Sequence, residues 1–144
     1  MRRAAFFLLV CGLAAPALAL DYLSIAEPAA MYDAPSQKAQ PLFAIAAGTP
    51  VEAVVNLDAW VKVRDSKGDL AWVEKRNLSQ KRTVIVKADK AEVRVQADDN
   101  AAIAFTAEHD VVLDWVEPGP LGWAHVKHRD GQAGFVKATH VWGL

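Results

Sequence analysis

The side chains able to do acid, base or metal chemistry gather late in this 144-residue chain. His109, His125, His128 and His140 all fall in its last third, and His109 adjoins Asp110. A histidine beside a carboxylate suits a catalytic pair, but such a pair needs a nucleophile to activate. None is at hand: residues 81–144 contain no serine, and the single cysteine, Cys11, lies in an N-terminal apolar leader. His125 and His128, three apart on an expected strand, face opposite sides of it, and the other two lie on or beside loops, so no set with metal-ligand spacing forms. Asp98-Asp99, followed by Asn100, has the composition of a solvated turn rather than of an acid/base couple. No catalytic residue, metal site or cofactor is therefore expected.

The leader and the charge balance bound what remains. MRRAAFFLLVCGLAAPALA carries two arginines, an apolar run from Ala4 to Ala15, the breaker Pro16 and small residues at Ala17 and Ala19. This is the pattern of a secretory signal with an A-x-A cleavage site, too short to span a bilayer. Cleavage after Ala19 is expected, with a periplasmic or secreted product. Val10 before Cys11 does not suit a lipoprotein acceptor, nor do Ala5 and Phe6 suit a twin-arginine signal. Loss of Arg2 and Arg3 leaves fourteen basic residues against seventeen acids, a formal charge of about −3 without a basic run. Nucleic acid is thereby excluded as a partner, since phosphate neutralisation needs clustered Lys and Arg. With Cys11 removed, no disulfide holds the product together, and stability must come from packing. No later segment has the length of a membrane span.

The elements that must position any site come in two copies. At a shift of 62, Ala26, Ala29, Ala39 and Phe43 fall on Ala88, Ala91, Ala101 and Phe105. At a shift of 63, Trp60, Val63, Gly68, Trp72, Val73 and Leu78 fall on Trp123, Val126, Gly131, Phe135, Val136 and Val141. The slip of one residue falls around Pro118-Gly119-Pro120, where turn chemistry absorbs an insertion. Each copy reads as short runs of Val, Trp, Phe and Ile between Gly, Asp, Asn and Pro, the signature of small barrels or sandwiches. Strands are expected at 22–26, 29–32, 42–46, 50–57, 60–64 and 70–74, and at 83–87, 91–95, 103–106, 111–116, 123–128 and 134–137. Residues 60–78 and 123–141 form hairpins, with Lys67-Gly68 and Asp130-Gly131 suited to the φ > 0 positions of a tight turn. Alternation turns Val61, Val63, Val73 and Leu78, and Ala124, Val126, Val136 and Val141, towards a core. Trp60 and Trp123 then point outward, where folding alone does not require a large aromatic.

Three features of these elements resemble the bacterial SH3 (SH3b) family. Ala30-Met31-Tyr32-Asp33-Ala34-Pro35 is similar to the run that opens such domains; W-x-x-V occurs at Trp60 and Trp123; and the hairpins end in Trp72-Val73 and Phe135-Val136. The resemblance implies an all-β chain of two small SH3-like β-barrels in tandem, each five-stranded, spanning residues 20–80 and 81–144 behind a signal peptide at 1–19. Two departures mark the copies. Ala71 stands where the family has glycine and the second copy keeps Gly134; and Val93-Arg94-Val95 replaces Met31-Tyr32-Asp33, so the second copy lacks the tyrosine and the following proline.

The resemblance also implies a module that binds rather than catalyses, with Tyr32, Trp60 and Trp72 as walls of a groove for an extended peptide. Asp33 and Asp58 are candidates to receive a peptide ammonium group, and Trp123 and Phe135 are the weaker counterparts in the second copy. The charged run Glu74-Lys75-Arg76 reads as solvated outer face. The expected ligand is a peptidoglycan stem peptide or a segment of an envelope protein. The alternative is a structural or assembly subunit of an envelope complex whose aromatics form the inter-repeat interface, because a unit of about sixty residues buries only about 60 % of its unfolded surface. Only Ser79, Gln80, Lys81 and Arg82 connect the copies, too few for independent tumbling, so a fixed mutual orientation is expected, with Trp115 and Trp142 available to hold it.

Overall fold

A computed structural model describes residues 21–144. The expected signal peptide at 1–19 lies outside them. The chain is all-β, built from two seven-stranded antiparallel sheets, one for each copy.

In the first repeat the strands are β1 (Tyr22–Ile25), β2 (Ala29–Tyr32), β3 (Pro41–Ile45), β4 (Pro50–Asn56), β5 (Trp60–Arg64), β6 (Leu70–Glu74) and β7 (Leu78–Ser79). In the second they are β8 (Thr83–Val86), β9 (Lys90–Arg94), β10 (Ile103–Glu108), β11 (Val112–Pro118), β12 (Trp123–Lys127), β13 (Ala133–Lys137) and β14 (Val141–Trp142). Their orders match, β3-β2-β6-β5-β4-β1-β7 against β10-β9-β13-β12-β11-β8-β14. The count of seven rather than the implied five arises in part at the ends of each unit. A single 3₁₀ turn, Lys75–Asn77 or Ala138–His140, brings a two-residue strand back against the opening strand, Ile25↔Leu78 and Val86↔Val141.

The period-2 pattern dictates the core. Val61, Val63 and Val73 of the first hairpin and Ala124, Val126 and Val136 of the second are buried, joined by Ile25, Met31 and Val51 in one core and by Val86, Val93 and Leu113 in the other. The register places Trp60 opposite Glu74 and Lys62 opposite Trp72, so all four leave on the outer face. The hairpin turns differ from expectation in one detail. Gly68 and Gly131 have φ of 89° and 98°, but Lys67 and Asp130 do not have positive φ. Gly68 N–H donates to Asp65 O at 3.0 Å and Asp65 N–H to Asp69 O at 3.0 Å, a type I turn followed by a left-handed glycine. The Asp65 carboxylate accepts the N–H groups of Lys67 and Asp69, each at 2.9 Å, which favours this longer turn. The inserted residue lies where turn chemistry placed it: three residues, 57–59, join β4 to β5, and four, 119–122, join β11 to β12.

The repeats meet through aromatics other than the groove candidates. Tyr22 of β1 packs edge-on against Trp142 of β14, ring centroids 5.2 Å apart. Arg82, from the connection, spreads its guanidinium over both Tyr22 and Trp115, and Thr83 Oγ1 donates to Gly48 O across the junction at 2.6 Å. Burial there, with the Glu52 charge, pushes the Tyr22 phenol above its ordinary range against the opposing pull of Arg82 and Arg64. Trp115 and Trp142 therefore serve the junction, as expected. Tyr32 and Trp60 contact one another.

Candidate functional site

The first repeat has an open cleft of about 700 Å³ on the outer face of the β5–β6 hairpin. Trp60, at the start of β5, forms one wall. Asp58 and Ala59 come from the short loop before it, Pro35, Ser36 and Gln37 from the loop after β2, and Glu74, Lys75 and Arg76 from the end of β6 and its 3₁₀ turn. Tyr32 supports the wall, its ring edge-on to Trp60 with centroids 5.5 Å apart and planes at 84°. Such a pair holds a half-buried indole in one orientation, ready to stack.

The expected site residues divide. Trp60 and Asp58 line the cleft; Tyr32 buttresses Trp60; Trp72 pairs with Tyr32 across β6 and β2 and shares the outer face, but lies outside the lining. Asp33 turns instead to its own loop: its carboxylate accepts the Gln40 N–H at 3.0 Å and its N–H donates to Gln40 O at 3.1 Å. Glu74-Lys75-Arg76 is not simply a solvated face. Gln37 donates to one oxygen of the Glu74 carboxylate and Arg76 to the other, which holds that carboxyl below its ordinary range. The Gln37–Glu74 contact joins residues 37 positions apart and leaves no local pattern to read. The one available signal was the change from Glu74 to Lys137 at matching positions of the repeat.

The same place in the second repeat is nearly closed, with about 60 Å³ left between Glu92, Arg94, Asp99, Trp123, Lys137 and His140. Arg94 stands where the first repeat has Tyr32. Its guanidinium donates to Ala101 O at 2.7 Å and pairs with Glu92, while Lys137 Nζ pairs with Asp99 Oδ1 at 2.8 Å. Phe135 is covered by His125, whose ring stacks on it at 4.8 Å with 17° between planes. Trp123 keeps its outward position beside a filled cleft, and Phe135 presents no free face on the side where His125 lies.

Three of the four histidines have local partners. His109 Nε2 lies 3.3 Å from Asp110 Oδ1 and Nδ1 lies 3.2 Å from Ala88 O. Asp110 has a φ of 66°, at the corner that Gly48 occupies in the first repeat with a φ of 83°; short polar side chains tolerate that region. The pair thus occupies a backbone turn. His125 and His128 take Glu117 and Asp130 as partners. Among the described residues, no three His, Cys, Asp or Glu side chains are grouped to hold a metal ion, and no helix is long and apolar enough to cross a membrane.

Solved structures similar to the chain include NlpC2 from Trichomonas vaginalis, at 11% identity and a TM-score of 0.39 over 86% of this chain and 48% of that one. They include NlpC1 from the same organism, at 10% and 0.40 over 94% and 50%, and an NlpC/P60 family protein from Bacillus cereus, at 12% and 0.38 over 84% and 55%. The chain spans about half the length of these proteins. No curated protein matches it. The family model described as the bacterial SH3 domain matches residues 26–80 and again residues 87–143, which hold twelve of the fourteen strands, and the chain belongs to that family.

Proposed function

We propose that this chain is a non-catalytic, exported binding protein of the cell envelope. Behind a signal peptide at 1–19 it carries two binding-type domains at 20–80 and 81–144, and the first takes an extended peptide in the Trp60 cleft. Family membership supports a binding role. One observation carries the choice of site: repeats with matching topology leave about 700 Å³ open beside Trp60 and about 60 Å³ beside Trp123. Folding does not demand an open cleft, since the second repeat folds with a closed one.

The lining suits a peptide with a basic group. Trp60 offers a flat face for stacking. Asp58 and Glu74 place two carboxylates in the cleft, the chemistry that receives an ammonium group, while Lys75 and Arg76, the latter paired with Glu74, suit carbonyls or a carboxylate. A cell-wall stem peptide with a diamino acid has these groups, as does a lysine-bearing segment of an envelope protein.

Mature protein should cosediment with isolated sacculi, and its tryptophan fluorescence should change on titration with muropeptides or with a lysine-bearing peptide from an envelope protein. Trp60→Ala should weaken binding about tenfold or more while costing about 1 kcal/mol of stability, the worth of an edge-on aromatic pair at a half-exposed site. A loss of several kcal/mol with binding unchanged would assign Trp60 to the framework and overturn the reading.

A further inference from the structure

The repeats place opposite charges at one point of the cleft. Glu74 faces Trp60 across the first hairpin, and Lys137 faces Trp123 across the second. In each case the loop after the second strand supplies the partner, with donor and acceptor exchanged: Gln37 donates to Glu74, whereas Asp99 accepts from Lys137 at 2.8 Å. Of the other groups at the second cleft, Arg94 is tied to Ala101 O and Glu92, and His140 also lines it. Only Asp99 reaches in from an exposed loop, with its side chain 66% exposed.

We propose that the second repeat holds a further, self-occupied ligand site: Lys137, beside the Trp123 wall, takes a carboxylate, and Asp99 fills that place until a ligand displaces it. The ligand is an extended peptide with a free carboxylate, from a C-terminus or from an Asp or Glu side chain. With the Asp99 charge removed, Lys137 and Arg94 stand against Glu92 alone, so the field at the site favours an anion. Displacement is cheap, because an exposed ion pair holds its partners weakly in water. An intramolecular carboxylate acts as a tethered competitor whose removal raises apparent affinity without any new contact. The inference rests on reading the first cleft as a ligand site, since it assigns the matching place in the second repeat.

The test uses the mature protein, with the indole N–H signals of Trp60 and Trp123 followed separately by NMR. The probes are acetylated tripeptides: all-alanine with a free C-terminus, the same peptide amidated, and an amidated one with a central glutamate. Asp99→Asn, at an exposed site, should fold as wild type and bind a carboxylate probe about two to five times more tightly, the range an exposed ion pair gives. The Trp123 signal should move, the neutral amide should have no effect, and Lys137→Gln should abolish the response. Response to the free C-terminus alone, or to the glutamate alone, identifies the source and supports the site either way. No movement of Trp123 in folded Asp99→Asn, or equal movement with the neutral amide, overturns it. Trp60 is read in the same samples with a lysine-bearing peptide, so failure of the first cleft is seen independently.

Discussion

The guanidinium of Arg82 lies 4.9 Å from the centre of the Trp115 ring and 5.4 Å from that of Tyr22, so one side chain of the connection binds an aromatic from each repeat. Its Nη2 also donates to Gly143 O at 2.7 Å, one residue from the last position of the sequence. Three contacts then hold a group whose Nε is buried without a partner, as is Trp115 Nε1. The arrangement gains from the two rings and loses through the unpaired donors.

Substitution separates these effects. Arg82→Ala removes both ring contacts and the hydrogen bond and should lower the stability of the whole chain by about 2 kcal/mol. Arg82→Met keeps an apolar stem over the rings and removes the unpaired Nε, so it should cost clearly less. Urea unfolding followed by tryptophan fluorescence reads both variants. An unchanged midpoint in Arg82→Ala would mean that the junction contributes nothing to stability.

A glycine that distinguishes the repeats gives a second prediction. A Cβ added at Gly134 would lie 2.4 Å from Arg94 O and 2.9 Å from Val93 Cγ1, and the carbonyl cannot withdraw without breaking the strand beside it. At the matching position the first repeat buries Ala71 within its core. Gly134→Ala should therefore destabilise by about 1–3 kcal/mol through overpacking, while Ala71→Gly should cost about 1 kcal/mol through the lost methyl and added chain entropy. Stability of Gly134→Ala equal to wild type in urea would show that β9 and β13 separate more easily than their packing implies.

These cases show which parts of the molecule were open to reading in its sequence. Val61, Val63 and Val73, with their counterparts, were legible because a period of 2 is local and occurs twice. The one-residue slip at Pro118-Gly119-Pro120 was legible for the same reason. Trp60 could be identified as outward, and Asp58 lay close enough in sequence to be placed beside it. Gln37, Glu74 and Arg76 were not legible as cleft residues, because the loop after β2 meets the end of β6 only through the fold. The bond that the Asp33 carboxylate accepts from Gln40 N–H was not legible either, because it forms only once that loop has folded. The closure of the second cleft was equally hidden, since Arg94 and Lys137 find their partners on a loop whose acids read as solvated.

Acid should weaken the contacts around both clefts. The Glu74 carboxyl is held below its ordinary range chiefly by the Gln37 hydrogen bond, aided by Arg76, and the Asp99 carboxyl chiefly by Lys137. A carboxyl whose folded pKa is depressed stabilises the fold above its unfolded pKa, about 4, and that contribution is lost as the pH falls through the lower folded value. Urea midpoints should thus be level near neutral pH and fall below about pH 4. Glu74→Gln and Asp99→Asn should each shallow that acid limb; Asp99→Asn should lower the neutral plateau only slightly, because its side chain is exposed and its pair is screened, and Glu74→Gln somewhat more, because the Glu74 side chain is only 13% exposed. Asp130, lowered mainly by the Gln132 N–H, titrates in the same window, so Asp130→Asn serves as a control away from the clefts. If the double variant Glu74→Gln, Asp99→Asn keeps the full wild-type acid slope, the two carboxyls are not held as the geometry indicates, and the charge exchange between the clefts loses its energetic basis.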